Sequence, residues 1–349
     1  MDDNDKIDPA IATEGIPRRR PWRMLLLSGA ALTALLLLLG FFLRDRLFSC
    51  GRAEDDLGNG FPTSVLADYV PEDSEAVLAV HVDQLRESPM GRRHLAPILH
   101  HLIRQAGGRL RWMDLLGIKP FEDLDYIQIS FAPAVGGQPL WLVRGRLDRS
   151  RIQIGPDKLQ ETSLDRFRVW QCTDREVKQT TLLATVGDML VVSESRGRLL
   201  AALKQASDPR PIAVRDATLR EMLAAVDRQQ ALWLAASIKG LGSIAAVEDY
   251  MVKLVLSPLL AHAESVHGGL TCAEDVRIEL HLRSATAEDA ASLERALQSR
   301  CEAAPGAALW LGRNKAFLPL LRLLGSGKIS REGNSVLLRC RLAAEELDG

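Results

Sequence analysis

The order of apolar and polar positions divides the chain into one uninterrupted apolar run and a long series of short periodic segments. Met24 to Leu43 (MLLLSGAALTALLLLLGFFL) carries no charge, and Ser28 and Thr33 are its polar residues. At about 1.5 Å per residue the run spans about 30 Å, the thickness of a bilayer's hydrocarbon core. A core helix of a globular domain would keep a polar stripe, and this run has none. It predicts a transmembrane helix.

Beyond Val65 the periods shorten. Ala76 to Val82 (AVLAVHV) follows Pro71-Glu72-Asp73 and predicts a buried strand. Leu95, Ile98, Leu99, Leu102 and Ile103 recur at helical spacing and predict a helix over 91–105, ended by Gly107-Gly108. Strands are predicted at 126–131, 140–145, 168–171, 181–186 and 189–193, the last two joined by the two-residue turn Gly187-Asp188. A helix follows at 196–206, and Ser207 to Pro211 (SDPRP) breaks the chain. A comparable order then recurs: helix 218–226, strand 231–236, helix 244–261, strands 265–272 and 276–283, helices 287–300 and 309–324, strands 328–331 and 335–341. Val276, Ile278, Leu280 and Leu282 alternate cleanly, as in a strand with one buried face. Strand pairs joined by short turns favour antiparallel sheet with helices on one face. The expected fold class is α+β: an N-terminal transmembrane helix, then two antiparallel-sheet-plus-helix units as a candidate pseudo-repeat.

The flanks of the apolar run set its direction. Arg18, Arg19, Arg20 and Arg23 precede it, with Trp22 at headgroup level, whereas Arg44, Arg46 and Arg52 follow more sparsely. The denser cluster belongs in the cytoplasm, so the bulk of the chain is expected outside the inner membrane. A cleaved signal peptide fits less well, because the run is long and no A-x-A site follows it. Leu47-Phe48-Ser49-Cys50 is similar to a lipobox, but Phe48 is bulky and Arg44, Asp45 and Arg46 interrupt its apolar approach. Residues 1–23 hold Asp2, Asp3, Asp5, Asp8 and Glu14 among small residues and prolines and read as a disordered cytoplasmic tail. Glu54-Asp55-Asp56 and Gly58-Asn59-Gly60 mark 44–64 as a linker. The first unit is then 65–208 and the second 209–349.

Composition narrows the function classes. With 47% apolar and 26% charged residues the exterior part can bury a core. Its Lys and Arg balance its Asp and Glu, without the basic excess or stripe of a nucleic-acid binder, so no nucleic acid is expected as partner. Cys50, Cys172, Cys272, Cys301 and Cys340 form no C-x-x-C pair and no disulfide framework.

No motif carries a complete chemistry. Gly325-Ser326-Gly327-Lys328-Ile329-Ser330 resembles the end of a phosphate-binding loop. Arg322 stands at the first glycine position, Ile329 at the hydroxyl position, and the helix precedes the strand. The histidines (His81, His94, His100, His101, His262, His267 and His281) show no H-E-x-x-H spacing, and His81 lies in an apolar strand. His267 adjoins Gly268-Gly269, a site for a strand irregularity. Ser195 reads as a helix N-cap; Cys172 and Cys272 have no visible activating partner. Glu122, Asp123 and Asp125 read as a solvated turn, and Trp141, Trp170, Trp233 and Trp310 as core. No catalytic, cofactor-binding or metal-ligating residue is therefore expected.

One resemblance stands beside this reading. Val70-Pro71-Glu72-Asp73-Ser74-Glu75-Ala76-Val77, then Val80 to Pro89 (VHVDQLRESP) and Leu116 to Asp125 (LGIKPFEDLD), is similar to uncharacterised membrane-anchored bacterial proteins of planctomycete type. It covers about residues 65–206 and implies no activity, cofactor or site residue. The expected function is a single-pass, extracytoplasmic binding or interaction module. Its partners would be the bilayer, through Met24 to Leu43, and an unknown envelope protein or polymer. The alternatives are an envelope-associated hydrolase with a site assembled from scattered residues, and a periplasmic scaffold or assembly factor.

Overall fold

The computed structural model describes residues 69–95, 111–132, 138–146, 158–174, 179–209, 214–238, 261–310 and 318–343, with Leu66 and Ile154. The tail, the apolar run Met24 to Leu43, the linker and most of the helix expected at 244–261 lie outside them, as do His100, His101 and Cys50. Among the described residues no helix is long and apolar enough to cross a membrane.

Among the described residues, twelve strands form one antiparallel sheet. They are β1 Ala76–His81, β2 Leu124–Phe131, β3 Leu140–Gly145, β4 Gln160–Leu164, β5 Phe167–Asp174 and β6 Gln179–Val186, followed by β7 Met189–Ser193, β8 Leu232–Ser237, β9 Ser265–Cys272, β10 Asp275–Arg283, β11 Lys328–Glu332 and β12 Ser335–Ala343. Their spatial order is β11-β12-β10-β9-β8-β1-β2-β3-β7-β6-β5-β4. The helices are α1 Val82–Glu87, α2 Arg111–Leu115, α3 Pro120–Asp123, α4 Arg196–Ser207, α5 Ala217–Ala225, α6 Ala287–Trp310 and α7 Leu318–Gly325, with a π-helical turn at Gly91–Leu95.

This overturns the α+β expectation of two separate sheet-plus-helix units. β1 pairs with β8 from Ala76↔Ala236 to Val80↔Leu232, so strands from both parts of the chain share one sheet. The physical reason is in the two strands themselves. AVLAV and LWLAA are apolar at odd and even positions alike, so neither has a face for water. Such strands belong in the middle of a sheet with both faces covered. Joined side by side they cover each other's edges, where two separate units would have left each at a rim.

Helices lie on both faces, not on one as expected. On the first face Leu78 and Val80 of β1, Trp141 of β3 and Ile278 of β10 share a core with Leu85 of α1, Trp112 of α2, Leu293 of α6 and Leu323 of α7. On the second face there are two smaller cores. Leu199, Ala202 and Leu203 of α4 cover Leu142, Ala184 and Val191. Leu219, Met222 and Leu223 of α5 cover Val77, Ala79, Trp233 and Ala235. Ser195 Oγ accepts from Arg198 N (3.3 Å) and Asp216 Oδ1 from Leu219 N (3.0 Å), so both helices start on side-chain caps.

A polar seam along β2 separates those two cores. Tyr126 donates to Gln128 Oε1 (2.9 Å), and Gln128 Nε2 to Tyr69 O (2.7 Å). Beside them Arg198 is buried against Asp73, Ser74 and the carbonyl of Ser130. On the second face α5 reaches as far as β9, and beyond it Arg277, Arg283, Arg339 and Arg341 of β10 and β12 are exposed.

Candidate functional site

The residues singled out by sequence are mostly absorbed by the fold. Ser326 donates to Leu323 O (2.6 Å) and accepts from Arg341 N (3.0 Å), and Gly327 lies against Cys301 Sγ. The Gly325 to Ser330 segment is thus a packed helix-to-strand turn, without amides directed at a ligand. His81 Nε2 meets Arg228 O (2.9 Å) and its ring lies against Tyr126. Asp123 is buried and accepts from Lys119 N (2.8 Å), Glu122 pairs with Lys119, and Asp125 pairs with Arg86 (2.7 Å). Trp141, Trp170 and Trp233 are buried. Cys172, Cys272, Cys301 and Cys340 are buried. Burial pushes the Cys272 thiol up, against a hydrogen-bonded contact with Ser88 Oγ (3.2 Å), and pushes Cys340 up to about 12. Neither is an activated thiolate.

What the fold does assemble is a polar face on one arm of the sheet. Strand residues two apart share a face, and the register aligns them across strands. On β10 the outward set is Asp275, Arg277, Glu279, His281 and Arg283. Arg339 and Arg341 of β12 stand opposite Glu279 and Arg277, and His267 and Thr271 of β9 stand opposite His281 and Arg277. Lys328 of β11 continues the Glu279–Arg339 row. The cations Arg277, Arg283, Lys328, Arg339 and Arg341 outnumber the carboxylates Asp275, Glu279 and Glu332 on this face.

The His267 and His281 rings stack with centroids 4.9 Å apart and planes 8° from parallel. Burial depresses the His267 imidazole below its ordinary range, and His281 beside it depresses it further. His281 Nε2 lies 3.0 Å from Glu279 Oε1, and Arg339 Nε donates to Glu279 Oε2 (2.8 Å). The Arg339 bond outweighs burial and holds the Glu279 carboxyl below the usual range. One row further, Asp275 Oδ2 accepts from Arg277 Nε (2.8 Å) and Arg341 Nε (2.6 Å). Burial works to raise the Asp275 pKa, but those two bonds together hold it below the usual range. At the rim Arg283 reaches Glu221 of α5 (3.1 Å).

One of two adjacent glycines, Gly269, flattens the strip between this face and the core under α5. Gly269 stands between Trp233 and Glu279 in register, and a Cβ there would collide with the Leu232 carbonyl oxygen and Gln230 Oε1. Gly268 holds φ +140, which L side chains rarely adopt. Beside it, Gln230 Oε1 and Trp233 Nε1 are buried without a hydrogen-bond partner among the described residues.

Among the described residues no three His, Cys, Asp or Glu side chains converge for a metal ion. The chemistry on display is recognition chemistry: oriented guanidinium donors, a stacked imidazole pair and exposed hydroxyls. The missed signal was readable. V-R-I-E-L-H-L-R over Val276 to Arg283 announces the polar face as clearly as the apolar one. Comparison with protein-family models, curated proteins and solved structures finds no match.

Proposed function

We propose that this chain is a membrane-tethered binding module that engages an envelope protein or polymer without turning it over. The observation that carries the reading is the asymmetry of the sheet. Helices cover both faces of the arm running from β1 to β7. Beyond β9 the arm is covered on the face that carries Ile278, but on its other face it is polar and cationic, with Arg277, Arg283, Arg339 and Arg341 exposed. Polar surface held on a rigid sheet presents donors at fixed spacing at little ordering cost. Met24 to Leu43 supplies the tether, with the Arg18 to Arg23 cluster holding the tail in the cytoplasm. Confinement to the membrane face raises the effective concentration of a weak partner.

The test is co-purification of the full chain in detergent with peptidoglycan sacculi and with solubilised envelope protein. It is run beside turnover assays on peptidoglycan, peptide, ester and phosphoester substrates. Retention by the wild type and its loss in Arg339→Gln/His281→Gln is the expected outcome. Turnover abolished by one His, Cys, Asp or Glu substitution would instead establish the hydrolase.

A further inference from the structure

Arg277 and Arg341 are direct cross-strand partners on β10 and β12, with both side chains on the exposed face. Like charges placed opposite one another destabilise a sheet. Here they are held together by one carboxylate oxygen, since both Nε groups donate to Asp275 Oδ2. The Asp275 side chain is 11% exposed, whereas the Arg277 and Arg341 side chains are 59% and 69% exposed. The anchor is therefore buried while the two guanidinium groups project into solvent. Each Nε is committed, and among the described residues the terminal nitrogens of both arginines make no hydrogen bond. Each guanidinium keeps four N–H donors in a planar fork. One negative charge under two positive ones leaves a net cation. Thr271, the other register partner of Arg277, is exposed beside it. The nearest carboxylate along β10 on this face, Glu279, is already engaged by Arg339 and His281, and Glu274 is exposed in the preceding turn.

We propose that Arg277 and Arg341 form an oxyanion site, taking a phosphate or carboxylate group of an acidic ligand across their paired forks. Asp275 is the positioning residue. The assignment rests on the β9–β12 face being the binding face, and it names the ligand chemistry that face takes. A carboxylate or phosphate accepts two parallel N–H bonds from such a fork, a geometry that a lysine ammonium does not offer. Because the forks are exposed, binding weakens as salt is raised.

The experiment uses the full chain in nanodiscs of zwitterionic lipid, titrated calorimetrically with inorganic phosphate at low salt. Arg277→Gln and Arg341→Gln should each weaken binding by about tenfold, a loss typical of one charge-assisted contact. Arg341→Lys, which keeps the charge and loses the fork, should also weaken it. Arg168→Gln, near the opposite edge of the sheet and paired with Glu161, should leave it unchanged, and unfolding midpoints verify that each variant is folded. Vesicles of phosphatidylglycerol, offered separately, distinguish a lipid headgroup from a free or polymer-borne oxyanion. Absence of phosphate binding by the wild type, or equal binding by both Gln variants, overturns the proposal. Loss of phosphate with undiminished capture of the envelope partner overturns it as the ligand contact while the binding module stands. Phosphate binding without any partner capture retains the site and removes the module reading.

Discussion

Replacing Arg198 with Met tests whether the polar seam holds the second face together. Arg198 sits at the first turn of α4, and its guanidinium ties three other segments to that helix. It donates to Ser130 O at the end of β2 (3.0 Å), to Gln138 O before β3 (2.7 Å) and to Ser74 Oγ (3.1 Å), and contacts Asp73 Oδ1 (3.1 Å). Its side chain is 8% exposed and that of Asp73 26%. Burial lowers the Arg198 pKa while Asp73 opposes the shift, and burial raises Tyr69 above the seam to about 12. Methionine nearly conserves volume, so the loss is chiefly polar. Removing one member of a buried charged pair costs about 3–5 kcal/mol. Asp73 reaches water in part, which places R198M near the lower end, about 3 kcal/mol, against a total stability of about 5–15 kcal/mol for a domain. Urea unfolding of the full chain in detergent, followed by fluorescence of the buried tryptophans, should show a lower midpoint at unchanged slope. Adding Asp73→Asn removes the stranded charge, so R198M/D73N should lose clearly less than the sum of the single losses. A cost below about 1 kcal/mol for R198M, or additivity within about 0.5 kcal/mol, would refute the reasoning.

Three further outcomes follow from particular residues. The His267 pKa is depressed in the fold, so its neutral form is favoured there and its contribution is present above the unfolded value. The midpoint of unfolding should fall as pH drops below about 6.5, and His267→Gln should flatten that slope. Asp275 and Glu279, also depressed, act in a separate, more acidic window, so persistence of the slope in His267→Gln would reject the assignment. Gly269→Val drives a side chain into the Leu232 carbonyl between two paired strands and should cost more than about 2 kcal/mol in the same titration, whereas a neutral result would show that β8 and β9 can part. A reporter active only outside the cytoplasm, fused after Gly349, should be active; an inactive fusion beside an active N-terminal one reverses the topology expected from Arg18 to Arg23.

Local periodicity carried much of the secondary structure and little of the assembly. Turn chemistry marked the β6–β7 and β11–β12 hairpins, where Gly187 and Gly333 take φ 59 and 58. The edge strand β4, Gln160–Leu164, escaped notice because QETSL has one apolar residue and no alternation to read. The strand expected to end at Val82 ends one residue earlier. Asp83 Oδ1 accepts from Gln84 N (2.8 Å) and Leu85 is 1% exposed, so α1 starts directly from β1. The β1–β8 and β3–β7 pairings join segments far apart in sequence, and nothing in local pattern specifies a distant partner. The two-sided apolarity of β1 and β8 did contain the information that both are central. Reading each as the first strand of its own unit discarded it. The Asp275–Arg277–Arg341 group was invisible for a related reason, since it needs the β10–β12 register before two arginines become neighbours.

That register also bears on what the open face is for. Exposed ion pairs contribute about 0–1 kcal/mol each, so Arg339–Glu279 and Arg283–Glu221 do little to hold β9 to β12 together. The apolar positions Ile278, Leu338 and Cys340 beneath α6 and α7 already do that work. Stability alone would favour opposite charges or threonines across β10 and β12. Arg277 opposite Arg341 is the reverse, tolerated through a carboxylate that is itself withdrawn from solvent. The same β10 strand stands beside Gly269, which puts no side chain on the face that carries His267, His281 and the arginine rows. Exposed arginines beyond the reach of α5, a glycine at the centre of β9 and like charges in opposition lower stability at each of those points. Recognition of an acidic partner is the reading under which all three features act in the same direction.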